Sequence, residues 1–381
     1  MTETLAAPPR VAKSEADPSR HSTFVVRHPS VPTQVVVGHG ALVDLGARLR
    51  ELGVSGTVFV ISDTAVLPRF GDATLEALRS IGYRAEAKAI PAGEGSKALS
   101  VASELYDWLL AQSVGRGDAV VALGGGVVGD LGGFVAATIL RGIPWAVVPT
   151  TLLGQVDASM GGKTGVNHAT GKNLIGAFHH PRLVVSDTAL LGTLPRRELR
   201  SGIAEIIKTG FILDPELLDL LERRAADLLA LEPALTADVV RRCAEHKLNV
   251  VGSDERESDL RMILNYGHTI GHGIEAATQY GALLHGEAVA VGMVGAALIA
   301  ERRGLLNSGD VARHRAVNDA YELPNTAPGV DADRVLAAMA HDKKSTKSSL
   351  RWILLDGIGR TRVVSDVPSE LALEVIRELV T

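Results

Sequence analysis

AVVALGGGVVGDLGGFVAA, residues 119–137, is the stretch whose reading decides the fold. A charge-free run of Ala, Val and Leu meets three glycines, Gly124, Gly125 and Gly126, and apolar residues then recur at helical spacing around Asp130. A strand that closes on glycine and opens directly into a helix is the repeating unit of a parallel α/β sheet. The glycines let the backbone approach a diphosphate, whose charge meets the free N–H groups at the helix start. Their spacing is not the usual G-x-G-x-x-G.

Outward from this unit the same alternation continues. TQVVVG (33–38), GTVFVIS (56–62) and WAVVPTT (145–151) read as strands, while GALVDLGARLREL (40–52) and ATLEALRSIG (73–82) carry apolar residues at helical spacing. From about Leu194 the pattern changes to long amphipathic helices: PRRELRSGIAEIIKTGFI (195–212), DPELLDLLERRAADLLAL (214–231), TADVVRRCAEHKLNVVGSD (236–254) and GEAVAVGMVGAALIAERRG (286–304). LRWILLDGIGRTRVVSDV (350–367) reads as a small hairpin. The expected organisation is an extension without structure of its own over residues 1–22, a nucleotide-binding α/β domain over 23–193 and a mainly α-helical domain over 194–381.

Composition narrows the function. The chain has 381 residues, 46% hydrophobic and 22% charged, enough for a sizeable core. A net charge of -5 and the lack of a basic tail favour neither nucleic acid nor a membrane as partner. A single cysteine, Cys243, excludes an intramolecular disulfide and a cysteine zinc cage, which suits the reducing cytoplasm, and its helical setting reads as a buried thiol.

Several short motifs carry chemistry. PAGEGSK (91–97) ends a strand and offers Glu94 for hydroxyls and Lys97 for phosphate. VDASMGGKTGVNHATGKNLIGAF (156–178) sets Asp157, Lys163, Asn167, Lys172 and Asn173 among glycines and reads as an anion-binding loop. Glu205 and Lys208 lie three apart on one helix face, either as part of a site or as a surface ion pair. In NYGHTIGHGIE (265–275), His268 and His272 stand at the i, i+4 spacing of a metal chelate, and His285 follows within eighteen positions. Thr269 stands where a zinc protease would carry its general base. Three protein ligands with one open position suit a Zn²⁺ that polarises a hydroxyl or carbonyl. Lys163, Lys172, Lys208, Lys247, Arg261, Lys343 and Lys344 gather around these motifs in an acidic chain. If they converge, they make a pocket for a small substrate with two anionic groups, a phosphate and a carboxylate.

Taken together, the ordered motifs from about Val35 onward resemble the 3-dehydroquinate synthase family of sugar phosphate cyclases. The resemblance is densest in residues 124–167, 171–181, 193–210, 261–293 and 342–359. It implies conversion of 3-deoxy-D-arabino-heptulosonate 7-phosphate to 3-dehydroquinate and phosphate by an NAD-dependent cycle with no net redox change: oxidation, phosphate elimination, reduction and aldol closure. The metal, Zn²⁺ or Co²⁺, would be held by Glu205, His268 and His285, and His272 would face the substrate phosphate. NAD would lie on Gly125, Gly126, Val127 and Asp130, with Ser62, Asp63, Glu94 and Lys97 toward its adenosine half. Thr150, Thr151, Leu153 and Thr193 would complete that site, with Lys163 and Lys172 at the nicotinamide. Asp157, Lys163, Asn173, Lys208, Lys247, Arg261, Asn265, His272 and one of Lys343 and Lys344 would hold the sugar phosphate. Arg141 would reach the phosphate of the neighbouring subunit in a homodimer. The chain departs from the family pattern at Met160, His180, Tyr266, Ile270 and Gly273, none of them a proposed ligand, which leaves an aminodehydroquinate synthase or another sugar phosphate cyclase as a near alternative. A metal-dependent polyol dehydrogenase of related plan is a more distant one.

Overall fold

A computed structural model describes residues 21–26, 32–254, 260–279, 281–344 and 350–381, without the side chains of Val26 and 340–344. Most of the expected N-terminal extension therefore lies outside the described residues. The described residues divide into two compact units, each described by itself: those from 21 to 194 together with 233–252, and 195–232 with those from 253 onward.

The first unit is built on a seven-stranded sheet. Its strands and helices are, in chain order, β1 (Ser22–Val26), β2 (Thr33–Gly38), α1 (Leu45–Glu51), β3 (Val58–Asp63), α2 (Leu67–Arg79), β4 (Ala85–Ile90), α3 (Leu99–Ala111), β5 (Ala119–Gly124), α4 (Gly126–Thr138), β6 (Trp145–Pro149), β7 (Lys163–His168), β8 (Gly171–Phe178) and β9 (Leu183–Asp187). The sheet order is β1-β2-β9-β6-β5-β3-β4, and every pairing is parallel except β1 with β2. β5 and β6 are buried along their whole length because helices cover both faces, which is why they read as unbroken apolar runs. Val58, Val60, Val121, Leu123, Ala146, Val148 and Val185 pack with Leu45, Leu49 and Leu78 of α1 and α2 to form the core. From β3 the chain moves outward to β4, and from β5 it moves the other way to β6, so the winding reverses between β3 and β5. Crossovers of fixed hand then put the helices that follow these two strands on opposite faces and open a crevice at their carboxyl ends.

Two expectations change here. Residues 163–178, read as an anion-binding loop, form the antiparallel hairpin β7–β8. Its strands escape notice because β8 is exposed or half-buried at every position and therefore carries no apolar alternation. Ser22, assigned to the unstructured extension, already opens β1. β4, sequence AEAKAI, is the strand that PAGEGSK was expected to end, although it lies at the sheet edge and four of its six residues are not fully buried.

The second unit opens with α5 (Arg196–Ile212), α6 (Pro215–Arg223) and α7 (Ala225–Leu229). The apolar spacing of 214–231 suggests one helix, but the chain breaks at Arg224, whose φ is -122°. α8 (Pro233–Ser253) follows, and its residues 233–252 belong to the first unit. α9 (His268–Ala277), α10 (His285–Arg302), α11 (Ser308–Ala320) and α12 (Ala332–Lys344) lead to the hairpin β10 (Trp352–Leu355)–β11 (Thr361–Val364) and the last helix, α13 (Ser369–Val380). Gly286 to Ala300 of α10 are all buried except Glu287, so α10 is the central post of this unit. Among the described residues, no helix is long and apolar enough to cross a membrane. Cys243 is buried and in no disulfide.

A buried polar cluster braces this unit. The His314 ring stacks on Phe211 at 3.6 Å between centroids, its Nε2 lies 2.8 Å from the Tyr266 hydroxyl and its Nδ1 lies 2.7 Å from the Asp310 carbonyl. A carbonyl only accepts, so Nδ1 carries the proton and Nε2 accepts from Tyr266. Burial, against the pull of the Asp310 carbonyl, lowers the imidazole to about 4, whereas in an unfolded chain it titrates near its ordinary 6.5. As pH falls the unfolded chain takes up this proton first. The stability is therefore complete above about 6.5 and is lost on the way down to about 4, by roughly 3 kcal/mol. Urea melts of the parent and of His314→Asn across that window should show a lower but flatter curve for the variant. Equal pH slopes in the two proteins would refute this assignment.

Candidate active site

Three helices of the second unit bring one titratable residue each to a common point. Glu205 lies in the middle of α5, while His268 and His285 are the first residues of α9 and α10. Gly267 caps α9 with φ +80°, and a Cβ there would stand 2.9 Å from the Met293 backbone nitrogen, so the turn into His268 requires glycine. The start of α10 is held by Glu287, which accepts from the Leu284 backbone N–H at 2.8 Å and takes both arms of the Arg197 guanidinium at 2.7 Å. The Gly286 N–H donates to Ser201 Oγ at 3.0 Å. A Cβ on Gly286 would fall 1.9 Å from the Ser201 carbonyl oxygen. Ser201 precedes Glu205 by one helical turn, so this backbone contact between α5 and α10 sets the distance from Glu205 to His285.

The resulting geometry suits a cation. Nε2 of His268 and Nε2 of His285 lie 3.5 and 3.6 Å from Glu205 Oε1. Two atoms that each sit about 2.0 to 2.1 Å from a tetrahedral Zn²⁺ are roughly 3.3 to 3.4 Å apart, close to these separations and too wide for strong hydrogen bonds. Glu205 is 2% exposed, and neither of its oxygens has a hydrogen bond of ordinary geometry, although Lys208 is in ion-pair contact. Burial pushes the Glu205 carboxyl up, but Lys208 and the two imidazoles outweigh it and hold it well below its ordinary value. His268 is lowered, by burial first and then by Lys208, into the neutral form that a metal needs. Its Nδ1 lies 3.1 Å from the Tyr266 carbonyl, which accepts only, so the Nε2 lone pair faces Glu205. His285 is pushed up to about 10 against burial, by Glu205 and Glu275, so a proton stands where a metal ion would replace it. An ionised Glu205, a neutral imidazole and a second imidazole with an exchangeable proton are a fitting donor set.

The i, i+4 spacing does not choose the ligands. His268 and His272 stand edge to face with ring centroids 5.2 Å apart, yet the ligand atoms that gather within 4.8 Å form two other groups among the described residues. One is Glu205, His268 and His285, and the other is His272, Glu275 and His285. His272 is exposed on α9. Lys208 and Glu205 are both buried, so their pair is not the surface pair that spacing allowed. Arg261 is 3% exposed, with its backbone N–H on Asp254 at 3.0 Å, and Asn265 ends the same short helical segment, Leu260–Asn265. Lys343 and Lys344 close α12, and their side chains lie outside the described residues.

In the first unit the expected cofactor residues line the carboxyl ends of the parallel strands, the face where open α/β sheets bind ligands. Ser62 and Asp63 end β3, Glu94 and Lys97 follow β4, and Gly125, Gly126 and Val127 follow β5. Thr150, Thr151 and Leu153 follow β6, and Thr193 ends the segment after β9. Gly125 caps α4 with no side chain on its N–H groups, which leaves the helix start available to a diphosphate. Lys97, 5% exposed, bonds both Asp130 and Asn173, and Asn167 donates to Glu94 at 2.7 Å. Burial raises Asp130, and Lys97 pulls against it. Lys172 lies 3.9 Å from Glu94.

The glycine-rich segment thus serves two places. Asp157, in the single π-helical turn Gly154–Ala158, pairs with Lys247 of α8 at 2.6 Å, while Asn173 turns to Lys97. Lys163 is exposed at the start of β7. Arg141 is exposed and, like Leu140 before it, takes a left-handed conformation, φ 68° and 50°. Glu275, Glu287, Arg197 and Ser201 were not singled out from the sequence. Glu275 could have been, since it lies seven residues after His268 and so on the same face of α9.

Known proteins resemble this chain in sequence and in fold. The family model for the 3-dehydroquinate synthase N-terminal part matches residues 87–201, and that for the C-terminal part matches 202–345. A 3-dehydroquinate synthase of Geobacter metallireducens is 45% identical over 327 residues, 86% of this chain and 91% of the relative. The structure of 2-deoxy-scyllo-inosose synthase complexed with carbaglucose-6-phosphate, NAD⁺ and Co²⁺ superposes with a TM-score of 0.86 at 30% identity, covering 94% of this chain and all of that one. That of 2-epi-5-epi-valiolone synthase from Streptomyces hygroscopicus subsp. jinggangensis, with NAD⁺ and Zn²⁺ bound, gives 0.83 at 32% identity over 91% and 96% of the two chains.

Proposed function

The chain belongs to the 3-dehydroquinate synthase family, and from that membership we propose how its residues divide the reaction. The enzyme is a lyase of the shikimate pathway that converts 3-deoxy-D-arabino-heptulosonate 7-phosphate to 3-dehydroquinate and phosphate, with NAD and a divalent metal as cofactors. When bound, NAD supplies a reversible hydride acceptor, and the cation, Zn²⁺ or Co²⁺, supplies Lewis acidity to the hydroxyl that becomes a ketone. Oxidation at one ring carbon acidifies the neighbouring C–H, elimination releases phosphate, and the ketone is then reduced back; the hemiketal C–O bond next opens to a ketone and an enolate, whose carbon adds to that ketone and closes the carbocycle.

In this reading Glu205, His268 and His285 hold the metal, and the carboxyl edge of β3, β5 and β6 receives NAD. Gly125, Gly126 and Val127 meet its diphosphate with backbone N–H groups. Ser62, Asp63, Glu94, Lys97 and Asp130 face its adenosine half, and Thr150, Thr151, Leu153, Thr193, Lys163 and Lys172 complete the site. The substrate is assigned Lys208, Arg261, Asn265 and His272 in the helical unit, with Lys343 or Lys344, and Asp157, Lys163, Asn173 and Lys247 in the α/β unit. Arg261 offers a planar fork for the carboxylate, and the exposed His272 imidazole suits the phosphate. Arg141, exposed and itself the second of two left-handed residues, is assigned to the phosphate of a neighbouring subunit in a homodimer. A cytoplasmic setting fits the one reduced cysteine. The observation that carries the assignment is the buried Glu205 carboxylate with two imidazole nitrogens at metal-compatible separation.

A single assay separates the cyclase from a polyol dehydrogenase. Phosphate release from the heptulosonate phosphate should require added or co-purified NAD⁺ while the NADH absorbance stays flat, because the hydride returns in every turnover. NADH accumulating in step with phosphate would overturn the redox-neutral cycle.

A further inference from the structure

The contact between His285 and Glu275 has no place in the assignments above. We infer that Glu275 is a positioning residue that makes Nε2 of His285 the nitrogen offered to the metal, an inference that rests on the metal reading proposed above. Glu275 Oε2 lies 3.3 Å from His285 Nδ1, and its residue is 8% exposed. A carboxylate facing an imidazole nitrogen can only accept, so Nδ1 keeps its proton and the lone pair of a neutral ring falls on Nε2, the atom 3.6 Å from Glu205.

Two features make this contact more than incidental packing. Glu275 stands in the last turn of α9, where the helix dipole opposes a negative charge, and burial adds a desolvation cost that an apolar side chain would avoid. His285 also needs the constraint more than its partner does. Its side chain is 32% exposed against 11% for His268, so packing confines the ring less. His268 takes the equivalent hold from the Tyr266 carbonyl at 3.1 Å. Each imidazole thus donates from Nδ1 to a fixed oxygen and presents Nε2.

The same contact excludes a second ion. His272, Glu275 and His285 also gather ligand atoms within 4.8 Å, but on Glu275's side the atom of His285 is Nδ1. A neutral imidazole has one lone pair, so His285 cannot serve both groups at once. With Glu275 holding the Nδ1 proton, the chain binds one cation.

The test loads the full chain with Co²⁺ and measures stoichiometry, the visible absorption band and the rate of metal loss to a chelator at fixed pH. One Co²⁺ per parent chain is expected. Glu275→Gln keeps an accepting oxygen at the same reach and should lose metal within about threefold of the parent rate. Glu275→Ala, and Glu275→Asp, which keeps the charge but withdraws the oxygen by one methylene, should lose metal roughly 10- to 100-fold faster with a shifted band. Should the Ala variant fail to fold, the contrast between Gln and Asp decides alone. Parent-like Ala and Asp variants, a Gln variant as poor as Asp, or two Co²⁺ per parent chain would each overturn the inference and leave the metal reading standing. A parent that binds no Co²⁺ overturns both.

Discussion

Glu205→Ala is expected to leave the protein without bound metal and to lower activity by about 10³-fold or more, since the cation supplies several kcal/mol to the reaction. Glu205 is the only negative member of the group formed with His268 and His285. Its removal also takes one carboxylate away from Lys208, which is 3% exposed at its side chain. Glu205→Gln, which keeps the shape, separates the two effects and should fold well yet bind metal poorly. His285→Ala should behave like Glu205→Ala in metal content. His272→Ala should retain one metal ion per chain and lose activity through the substrate. Metal analysis of the purified variants decides the matter. If His272→Ala is metal-free while His285→Ala stays loaded, the i, i+4 pair is the true chelate and the assignment falls.

Gly286→Ala should be the most destabilising single-methyl change near the site, at about 4 to 5 kcal/mol, with weakened metal binding in whatever protein folds. The added Cβ would lie 1.9 Å from the Ser201 carbonyl oxygen, 2.6 Å from its carbon and 2.7 Å from its Cα. All three are backbone atoms, so no side-chain rotation relieves the clash and α10 must move away from α5. That movement would widen the gap between His285 and Glu205. Gly192→Ala is the control, because no atom lies within 4 Å of its Cβ position, and it should stay within roughly 0.5 kcal/mol of the parent. A Gly286→Ala protein with parental unfolding midpoint and metal affinity would show that the helices do not meet as described.

The elements legible in the sequence were those whose burial is uniform. β2, β3, β5 and β6 are almost wholly enclosed, so selection for apolar residues acts at every position and the runs stand out. β4 on the sheet edge and the exposed β7–β8 hairpin carry Lys, Glu, Asn and Gly, because water can satisfy one side of them. The helix break at Arg224 has no Gly or Pro to announce it, and no local signal explains it.

By itself the sequence determined the parallel α/β plan, the glycine turn between β5 and α4 and a set of basic and histidine residues to carry chemistry, because these depend on local periodicity and on residue type. Its resemblance to a family also named Glu205, His268 and His285, a choice that spacing alone left open. Only the tertiary structure decided which atoms meet. The three proposed ligands come from three separate helices, and what sets their distances is the backbone approach of Gly286 to Ser201 and the left-handed turn at Gly267. A contact of that kind depends on the relative placement of whole helices. Nothing in the period of either helix encodes it, so Glu275 beside His285 could be seen only once α9 and α10 stood side by side.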